Sequence, residues 1–276
     1  TALVATASVA AADVTFSGFA YAGVRSVENA DTDVTQSVRI NANASVETDG
    51  GVTFSAHKRV VSGNGSSDYG FVKVSSGGAQ VTIGNTHGAI RKIARQVLFT
   101  GYDNGGLTAA TNAPGSVTQN DGSDNIYASY SVGGLTLGVS TQMAENVAAV
   151  AAITAHSGVP ASAAVAGRTG RDTEFGASYT MNGFTVAAAG TTADTDFWAA
   201  KVTGSVAGVS LGLGFNELDE TVFTASGSIG AATTVDFGYE DNSAGSRYGV
   251  AVNHDLGANV SLIGDVMQDE SDVTTM

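Results

Sequence analysis

Apolar and polar residues alternate along most of this chain, in segments of about ten residues. The clearest alternation runs over residues 38–46, which read VRINANASV. A period of two residues is typical of a β-strand with one apolar and one polar face. Fifteen such segments lie between Asp13 and Gln268. The chain is therefore predicted to be all-β.

Short turns that contain glycine join the segments at one end, and longer polar loops join them at the other. The turns are centred on Asp49-Gly50-Gly51, Gly77-Gly78, Gly133-Gly134, Asn182-Gly183, Ala207-Gly208, Gly230-Ala231 and Leu256-Gly257. This asymmetry is typical of a transmembrane β-barrel, and bacterial single-chain barrels have an even number of strands. Fifteen segments therefore predict an antiparallel barrel of sixteen strands, with the C-terminal strand missing from the sequence that ends at Met276.

Two intervals between successive turns are about twice as long as the others. They contain residues 86–122 and 144–170. A connection of nearly forty residues within a compact domain is usually functional or disordered. The first of these loops carries a helix-like stretch from Ala89 to Val97, and we expect a short helix there. The second is rich in Ala, Ser and Val, and we expect an exposed loop.

Composition and charge restrict the class of protein. The net charge of −14 argues against a nucleic-acid partner, which would need clustered Lys and Arg. The mean hydropathy of +0.10 and the sequence after residue 12 give no apolar stretch long enough for a membrane-spanning helix. Residues 1–12 resemble the remnant of a secretory signal peptide, with a buried N-terminal strand as the alternative. The barrel domain is then residues 13–276.

Three stretches of sequence resemble a known family. They are VTFSGFAYAGV from Val14, RINANASVETDGGVTF from Arg39 and VTIGN from Val81. The chain resembles the general porins of photosynthetic and related alphaproteobacteria, most strongly over residues 13–105. The resemblance implies a sixteen-stranded barrel, usually a homotrimer, in the outer membrane of a Gram-negative bacterium, in contact with lipid and lipopolysaccharide. It also implies passive diffusion of small hydrophilic solutes, with a third outer loop, here residues 86–122, that folds into the lumen and narrows the pore.

In such porins, a basic cluster on the barrel wall faces acidic groups on the inserted loop, sometimes with bound calcium. The resemblance thus places Arg39, His57, Arg59 and Lys73 on the lumen wall, on the polar face of their segments. The loop departs from the pattern, because His87, Arg91, Lys92 and Arg95 stand where acids would be expected. We expect Arg91 and Arg95 to reach the constriction, with acidic counter-charges at Asp103, Asp121 and Asp124.

The basic residues at these loop positions also affect the prediction of bound calcium. Calcium is suggested by the resemblance alone, and Asp121 and Asp124 are the candidates for it. A simple polar turn is the alternative for these two residues, and no other metal or cofactor is expected. The four histidines have no spacing typical of metal ligands.

The charges are distributed unevenly along the chain. Up to Arg95 there are eight Lys or Arg and seven Asp or Glu, whereas the remaining residues contain four and nineteen. In a barrel, this asymmetry predicts a field across the lumen that sets ion preference. The alternative is that the acids only make the loops soluble. Lys58 falls on an apolar face, and we expect it near a strand end, where its ammonium group reaches the interface.

Other classes of protein fit the sequence less well. Residues 208–212 match the nucleophile pattern GxSxG, but the apolar alternation continues through Ser210 and the required strand-turn-helix context is missing. No enzymatic activity is therefore expected, including that of an outer-membrane barrel enzyme. A secreted Gly-rich β-solenoid or autotransporter-type adhesin would also be acidic and free of cysteine. A solenoid repeats a fixed motif, however, whereas this chain repeats only its alternation and its turns.

Overall fold

The computed structural model of the chain describes residues 13–63, 69–95, 125–142, 146–147, 168–169, 173–192, 197–243, 245–269 and 271–275. Nearly all of this part is strand. The strands are β1 Asp13–Arg25, β2 Asp33–Glu47, β3 Thr53–Gly63, β4 Tyr69–Ser76, β5 Ala79–Gly84, β6 Asn125–Val132, β7 Leu135–Gln142, β8 Asn146–Val147, β9 Arg168–Thr169, β10 Thr173–Met181, β11 Phe184–Thr191, β12 Phe197–Val206, β13 Val209–Asn216, β14 Thr221–Ile229, β15 Thr233–Asn242, β16 Gly245–Gly257, β17 Val260–Gln268 and β18 Thr274–Thr275.

Sixteen of these strands form one antiparallel sheet that follows the order of the chain. β7 pairs with β10 in this sheet. The short strands β8 and β9, which lie between them in the chain, pair with each other. The two ends of the sheet meet where Val27 bridges Thr275 and the Glu28 N–H donates to the Thr274 carbonyl at 2.9 Å. The sheet is therefore a nearly closed barrel, and the predicted fold is confirmed. The solenoid alternative is not supported, because consecutive strands pair antiparallel within a single sheet.

Fifteen of the sixteen strands in the sheet are long, as the alternation predicted. β18 adds two residues beside Met267 and Gln268 of β17. That a closing strand continues after Met276 stays a prediction, as does the signal peptide, since residues 1–12 lie outside the described part. Most of the second long loop, residues 144–170, also lies outside it.

The barrel has its apolar side chains on the outside. On β5, Val81 and Ile83 are 41% and 54% exposed, whereas Thr82 between them is 2% exposed. The same alternation places Phe16, Leu213, Val250 and Leu262 on the exposed face of their strands. An apolar outer face is stable only against hydrocarbon, and a spanning sheet must close so that its backbone groups are paired. None of the helices in the described residues is long and apolar enough to cross a membrane.

The tight turns owe their shape to residues that accept a positive φ. Gly77 and Gly78 have φ of 56° and 88°, and Asn182 and Gly183 have 52° and 81°. Two consecutive positive values are what two-residue hairpin turns of type I′ require. The predicted turn at Leu256-Gly257 is wrong by about two residues. β16 continues through Gly257 with an irregularity in its pairing after Asp255, and the turn residues are Ala258 and Asn259. Positive φ values run from Gly257 (85°) through Ala258 (51°) to Asn259 (62°).

Lys58 does not lie near a strand end as expected. It is the sixth residue of the eleven in β3, and it faces outward, opposite Ala42 of β2 and Gly70 of β4. Its aliphatic chain has room there because Gly70 has no side chain: a Cβ at Gly70 would lie 3.3 Å from Lys58 Cδ. A lysine on the outer face at this depth conflicts with a surface that contacts only lipid.

Candidate functional site: the loop helix on the inner wall

The long loop after β5 begins with one helical turn, Ile90–Ala94, which we call the loop helix. Its hydrogen bonds are wider than those of an α-helix: the Arg95 N–H donates to the Ile90 carbonyl at 3.2 Å. Arg95 itself is extended, with φ −61° and ψ 129°, so the helix ends there. The predicted helix over Ala89 to Val97 is thus confirmed as a shorter turn, and its last two residues lie outside the described part.

A row of buried residues on the inner wall supports the loop helix. Strand register sets Thr82, Tyr127, Ser140, Glu174 and Thr191 side by side on β5, β6, β7, β10 and β11. All of them are less than 9% exposed, although they lie on the polar face of the sheet. The segment that covers this face therefore lies inside the barrel.

Two polar side chains of this row fix the start of the loop helix. The Ala89 N–H donates to Ser140 Oγ at 2.8 Å, and the Ile90 N–H donates to Glu174 Oε2 at 3.1 Å. The Ser140 hydroxyl in turn donates to Glu174 Oε2 at 3.2 Å. The first N–H groups of a helix need such external acceptors. Gly88 allows the close approach, because a Cβ at that position would collide with the Glu174 carboxylate.

The other side of the loop helix is fixed by apolar contacts. Ile90 and Ala94 form a buried cluster with Ala189, Phe197 and Ala199 of β11 and β12. Ile93 lies over two glycines: a Cβ at Gly138 would be 2.6 Å from Ile93 Cδ1, and one at Gly176 would be 3.1 Å from it. Small residues on the inner face of β7, β10, β11 and β12 thus make a recess that accepts the helix.

Two lysines extend this attachment. Lys201 of β12 donates from Nζ to the Arg95 carbonyl at 3.0 Å. Lys92 lies over the Tyr127 ring, with Nζ 4.8 Å from the ring centroid. The Asn125 side-chain amide donates to the Thr86 carbonyl at 3.0 Å and holds the segment before the helix. The loop is therefore bonded to the wall on both sides of its helical turn.

The four cationic or histidine residues predicted on the wall all lie on the polar, inward face. Arg39 of β2 places its guanidinium 4.5 Å from the centroid of the Phe19 ring. His57 of β3 stacks on Phe71 at 5.1 Å, and its Nδ1 is 2.7 Å from Asn43 Oδ1. Arg59 lies on the same face of β3, two residues beyond His57.

Lys73 of β4 lies opposite Thr82, which is next to Tyr127 in the row beneath the loop helix. Neighbouring strands are about 4.8 Å apart, so the Lys73 and Tyr127 backbones are separated by about 10 Å. Arg91 and Arg95 lie on the loop helix and at its end. The structure thus brings Arg59, Lys73, Arg91 and Arg95 into one region, with Arg39 beyond them on β2.

The pKa of His87 is affected by the positive charges of this region. Its pKa is lowered to about 3, first by burial and then by the charges of Arg91, Lys92, Arg95 and Arg59, in that order. Burial, and then the charge of Lys73, also lowers the pKa of Lys92. Cations of the loop and cations of the wall therefore act on the same groups.

The predicted counter-charges Asp103, Asp121 and Asp124 lie outside the described residues. Within the described residues, acids face the lumen on β15 and β17, where Asp236 and Asp265 flank Ala251 of β16. Glu240 is 2% exposed and paired with Arg247 at 2.7 Å. No group of three or more acidic, histidine or cysteine residues in the described segments could hold a metal ion.

Sequence reasoning missed the residues that hold the loop. The only indication in the sequence is that these residues occupy polar-face positions of predicted strands. They are Ser140, Glu174 and Lys201. The alternation does not show which of the many polar-face residues meets the loop, because Ile90 and Glu174 are 84 positions apart.

Replacement of Glu174 by Ala is expected to loosen the loop helix. It removes an acceptor from the Ile90 N–H and the Ser140 hydroxyl, and each buried group left unsatisfied costs about 1–3 kcal/mol. Trypsin cleavage after Arg91, Lys92 and Arg95 should become about tenfold faster or more, because cleavage follows the population of the open form. Glu47→Ala, which removes an exposed carboxylate from the polar face of β2, is the control. Equal cleavage rates in the two variants would contradict the attachment.

His87 is expected to stay neutral at pH 5, where an unperturbed histidine is charged. Its imidazolium form is disfavoured by burial and by four neighbouring cations, so its pKa lies near 3 instead of 6.5. In the double variant Arg91→Gln, Lys92→Gln, the pKa should rise, but not to 6.5, because burial is the larger cause. NMR titration of the imidazole, assigned with His87→Gln, measures both values. A parent pKa near 6.5 would show that His87 lies outside the positive region.

The chain can be placed in a family by comparison with known proteins. Residues 1–274 match the profile of a family described as Gram-negative porin. No curated protein matches the chain. Among solved structures, a double mutant of Rh. blastica porin gives a TM-score of 0.69 at 18% identity, covering 95% of this chain and 97% of that chain. A triple mutant of Rhodopseudomonas blastica porin gives a TM-score of 0.66 at 18% identity with the same coverage. These similarities establish the fold, and the family match over nearly the whole sequence shows that the chain belongs to the Gram-negative porins, which are channels of the outer membrane.

Proposed function

We propose that this porin forms a water-filled pore in which the loop helix sets the constriction for small hydrophilic solutes and ions. The observation that carries the proposal is the attachment of the loop helix to the inner wall through Ser140, Glu174 and Lys201. A segment held in this way narrows the lumen permanently. Arg39, His57, Arg59 and Lys73 line the wall beside it, and Arg91 and Arg95 project from the loop side.

The positions of the charged residues around the wall favour an electric field across the lumen. The basic residues extend from Arg39 on β2, through the loop helix, to Lys201 on β12, with Lys92 over β6 near the middle of this arc. Asp236 and Asp265 flank β16, which is eight places from β6 in the sixteen-strand order. The acidic strands therefore lie halfway around the barrel from the centre of the basic arc. Charges arranged in this way set ion preference and orient dipolar solutes.

We propose that the pore works without catalysis and without a cofactor. Gram-negative porins are a class of channels, and Ser210 lies within β13, so no turn exposes it as a nucleophile. The described part of the inserted loop does not fit a calcium site, because its charged residues are Arg91, Lys92 and Arg95. Calcium prefers oxygen ligands such as carboxylates and carbonyls. Calcium at Asp121 and Asp124 stays a hypothesis from family resemblance.

We also propose a homotrimer in which the outer face of β2 to β4 contacts another copy, with lipid and lipopolysaccharide around the rest. Lys58 lies at the centre of this face, and a lysine at the bilayer midplane of a barrel costs about 2–4 kcal/mol. Contact with a second protein surface would remove that cost. Three of the outward residues next to Lys58, Ala42, Ala56 and Gly70, are small, so a second copy can approach Lys58 closely.

Planar-bilayer recording tests the pore and its constriction. The purified protein should give stepwise ohmic conductance, and Arg39→Gln with Arg59→Gln should change single-channel conductance and shift the reversal potential in a KCl gradient toward that of potassium. Arg25→Gln is the matched control, since Arg25 is already paired with Asp33 at 3.0 Å. Unchanged conductance and selectivity in the double variant would refute the assignment of the constriction.

Single-cysteine labelling tests the trimer contact, since the chain has no cysteine of its own. In mild detergent, Lys58→Cys should react much more slowly with a maleimide than Val202→Cys, which lies on the outer face of β12. After dissociation in SDS the two rates should agree, and native mass spectrometry should give three copies before dissociation. Fast labelling of Lys58→Cys in the intact assembly would place β3 against lipid instead.

A further inference from the structure

A hollow of small residues interrupts the apolar outer face between β7 and β13. Strand register sets Ala177, Ala188 and Ala200 side by side in one outward row on β10, β11 and β12. The row ends at Leu137 of β7 and Phe215 of β13. Apart from Gly190, the outward residues of the two neighbouring rows on β10 to β12 are larger, and they are Phe175, Trp198, Tyr179, Val186 and Val202. The three alanines therefore form the floor of a depression with apolar walls.

Gly190 opens this depression toward the loop end of the barrel. It lies between Phe175 and Trp198, and a Cβ at Gly190 would be 3.9 Å from Phe175 Cζ and 3.7 Å from Trp198 Cβ. The Trp198 ring contacts the Phe215 ring edge-on, with centroids 6.0 Å apart, on the side away from Gly190. The result is a groove of about 840 Å³, which we call the outer groove. Its lining includes Leu137, Phe175, Ala177, Ala188, Gly190 and Trp198.

The floor of the outer groove is supported from inside the barrel. Gly138 and Gly176 also line the groove, although their missing side chains would point inward. On the inner side they meet Ile93, whose Cδ1 would lie 2.6 Å from a Cβ at Gly138 and 3.1 Å from one at Gly176. Only the backbone of β7 and β10 therefore separates the groove from the loop helix. Since Ser140 and Glu174 fix that helix, the groove is preformed, and a preformed site loses little free energy to ordering when it binds.

The position of the outer groove favours a hydrocarbon chain as its occupant. The groove lies on the outer face of an outer-membrane channel, at the end of the strands that the longer loops join, which is the cell-surface side. β10, β11 and β12 occupy the eighth to tenth places in the sheet, whereas Lys58 is on the third strand. The groove is therefore remote from the proposed trimer contact. A chain in a groove touches protein on several sides, so it makes more dispersion contacts than a chain on a flat face.

We propose that the outer groove binds one acyl chain of a membrane lipid, which lies over Ala177 and Ala188 and passes Gly190 toward its headgroup. The inference rests on the proposed contact of this face with lipid, and it adds a defined site to that contact. Among the described residues that line the groove, only Glu217 is ionisable, and its N–H donates to the Trp198 carbonyl at the loop end. A carboxylate there disfavours an anionic headgroup, so a zwitterionic lipid is the suitable probe.

Trp198 is the single tryptophan of the chain, so its fluorescence measures occupancy of the outer groove directly. The intact protein in dodecyl maltoside micelles is titrated with phosphatidylcholine that carries bromine, a contact quencher, at mid-chain. Quenching should saturate at a mole fraction of lipid at which random contact quenches little. Unbrominated phosphatidylcholine should restore the fluorescence, whereas glycerophosphocholine, which has no acyl chain, should not.

Filling the groove should weaken this binding. Ala177→Leu with Ala188→Leu places two larger side chains on the floor, and the half-saturating mole fraction should rise by about tenfold or more as the chain loses its contacts there. Ala225→Leu is the matched control, because Ala225 lies on the outer face of β14 between Leu211 and Phe237 and should leave the titration unchanged. Equal single-channel conductance in the parent and both variants shows that the barrels are folded.

The outcomes separate this inference from the lipid contact on which it rests. Quenching that only follows the mole fraction of lipid, or that saturates equally in the parent and the filled variant, would overturn the acyl-chain site while the lipid contact stands. Competition by glycerophosphocholine would show a headgroup site and would also overturn it. In vesicles made entirely of brominated lipid, Trp198 should be quenched in all variants. Absence of quenching there would overturn both statements and would indicate that protein covers this face.

Discussion

The structure depends first on the rule that backbone hydrogen bonds inside a membrane must be made within the protein. Hydrocarbon offers no partner to an N–H or a C=O, so a sheet can span only when it closes. The antiparallel order from β1 to β18 and the bridge between Val27 and Thr275 are the consequence of this rule. In a closed barrel, each strand has one side toward lipid and one toward water. The two-residue alternation along the strands, the apolar outer face and the polar lumen follow from this.

Closure also explains why the buried core of this protein lies where it does. A barrel with a water-filled lumen has no central core, and its large apolar residues face outward. The buried apolar cluster that includes Ile90 and Phe197 exists because the loop helix covers part of the inner wall. Gly138 and Gly176 make that wall thin enough to receive Ile93. The inner surface therefore has one part that the loop covers and another part that faces the lumen.

The sequence predicts the strands well and the loop attachment poorly, for physical reasons. Period-two alternation depends only on neighbouring residues, so the strands and most turns could be placed from the chain alone. The turn after β16 was misplaced because Gly257, although its φ is positive, still belongs to the strand at an irregularity in pairing, and the turn residues Ala258 and Asn259 adopt positive φ without being glycine. The predicted position of Lys58 near a strand end was wrong because alternation does not show where a strand ends. The distance of a residue from the strand end depends on the length of the strand. The partners of the loop helix depend on register across several strands, which no local pattern encodes.

The bonds that attach the loop involve its main chain, whereas its charge is carried by side chains. The charge of the loop, and with it the selectivity of the pore, can therefore change while the attachment is kept. Glu174 and Ser140 bond to main-chain N–H groups of Ala89 and Ile90, so they hold the loop whatever side chains follow. Arg91 is neither one of the buried apolar residues of the helix nor an acceptor of its hydrogen bonds. Its charge can therefore differ from that of other porins without displacing the loop. A constriction fixed through its backbone leaves its exposed side chains free to determine which solutes it attracts.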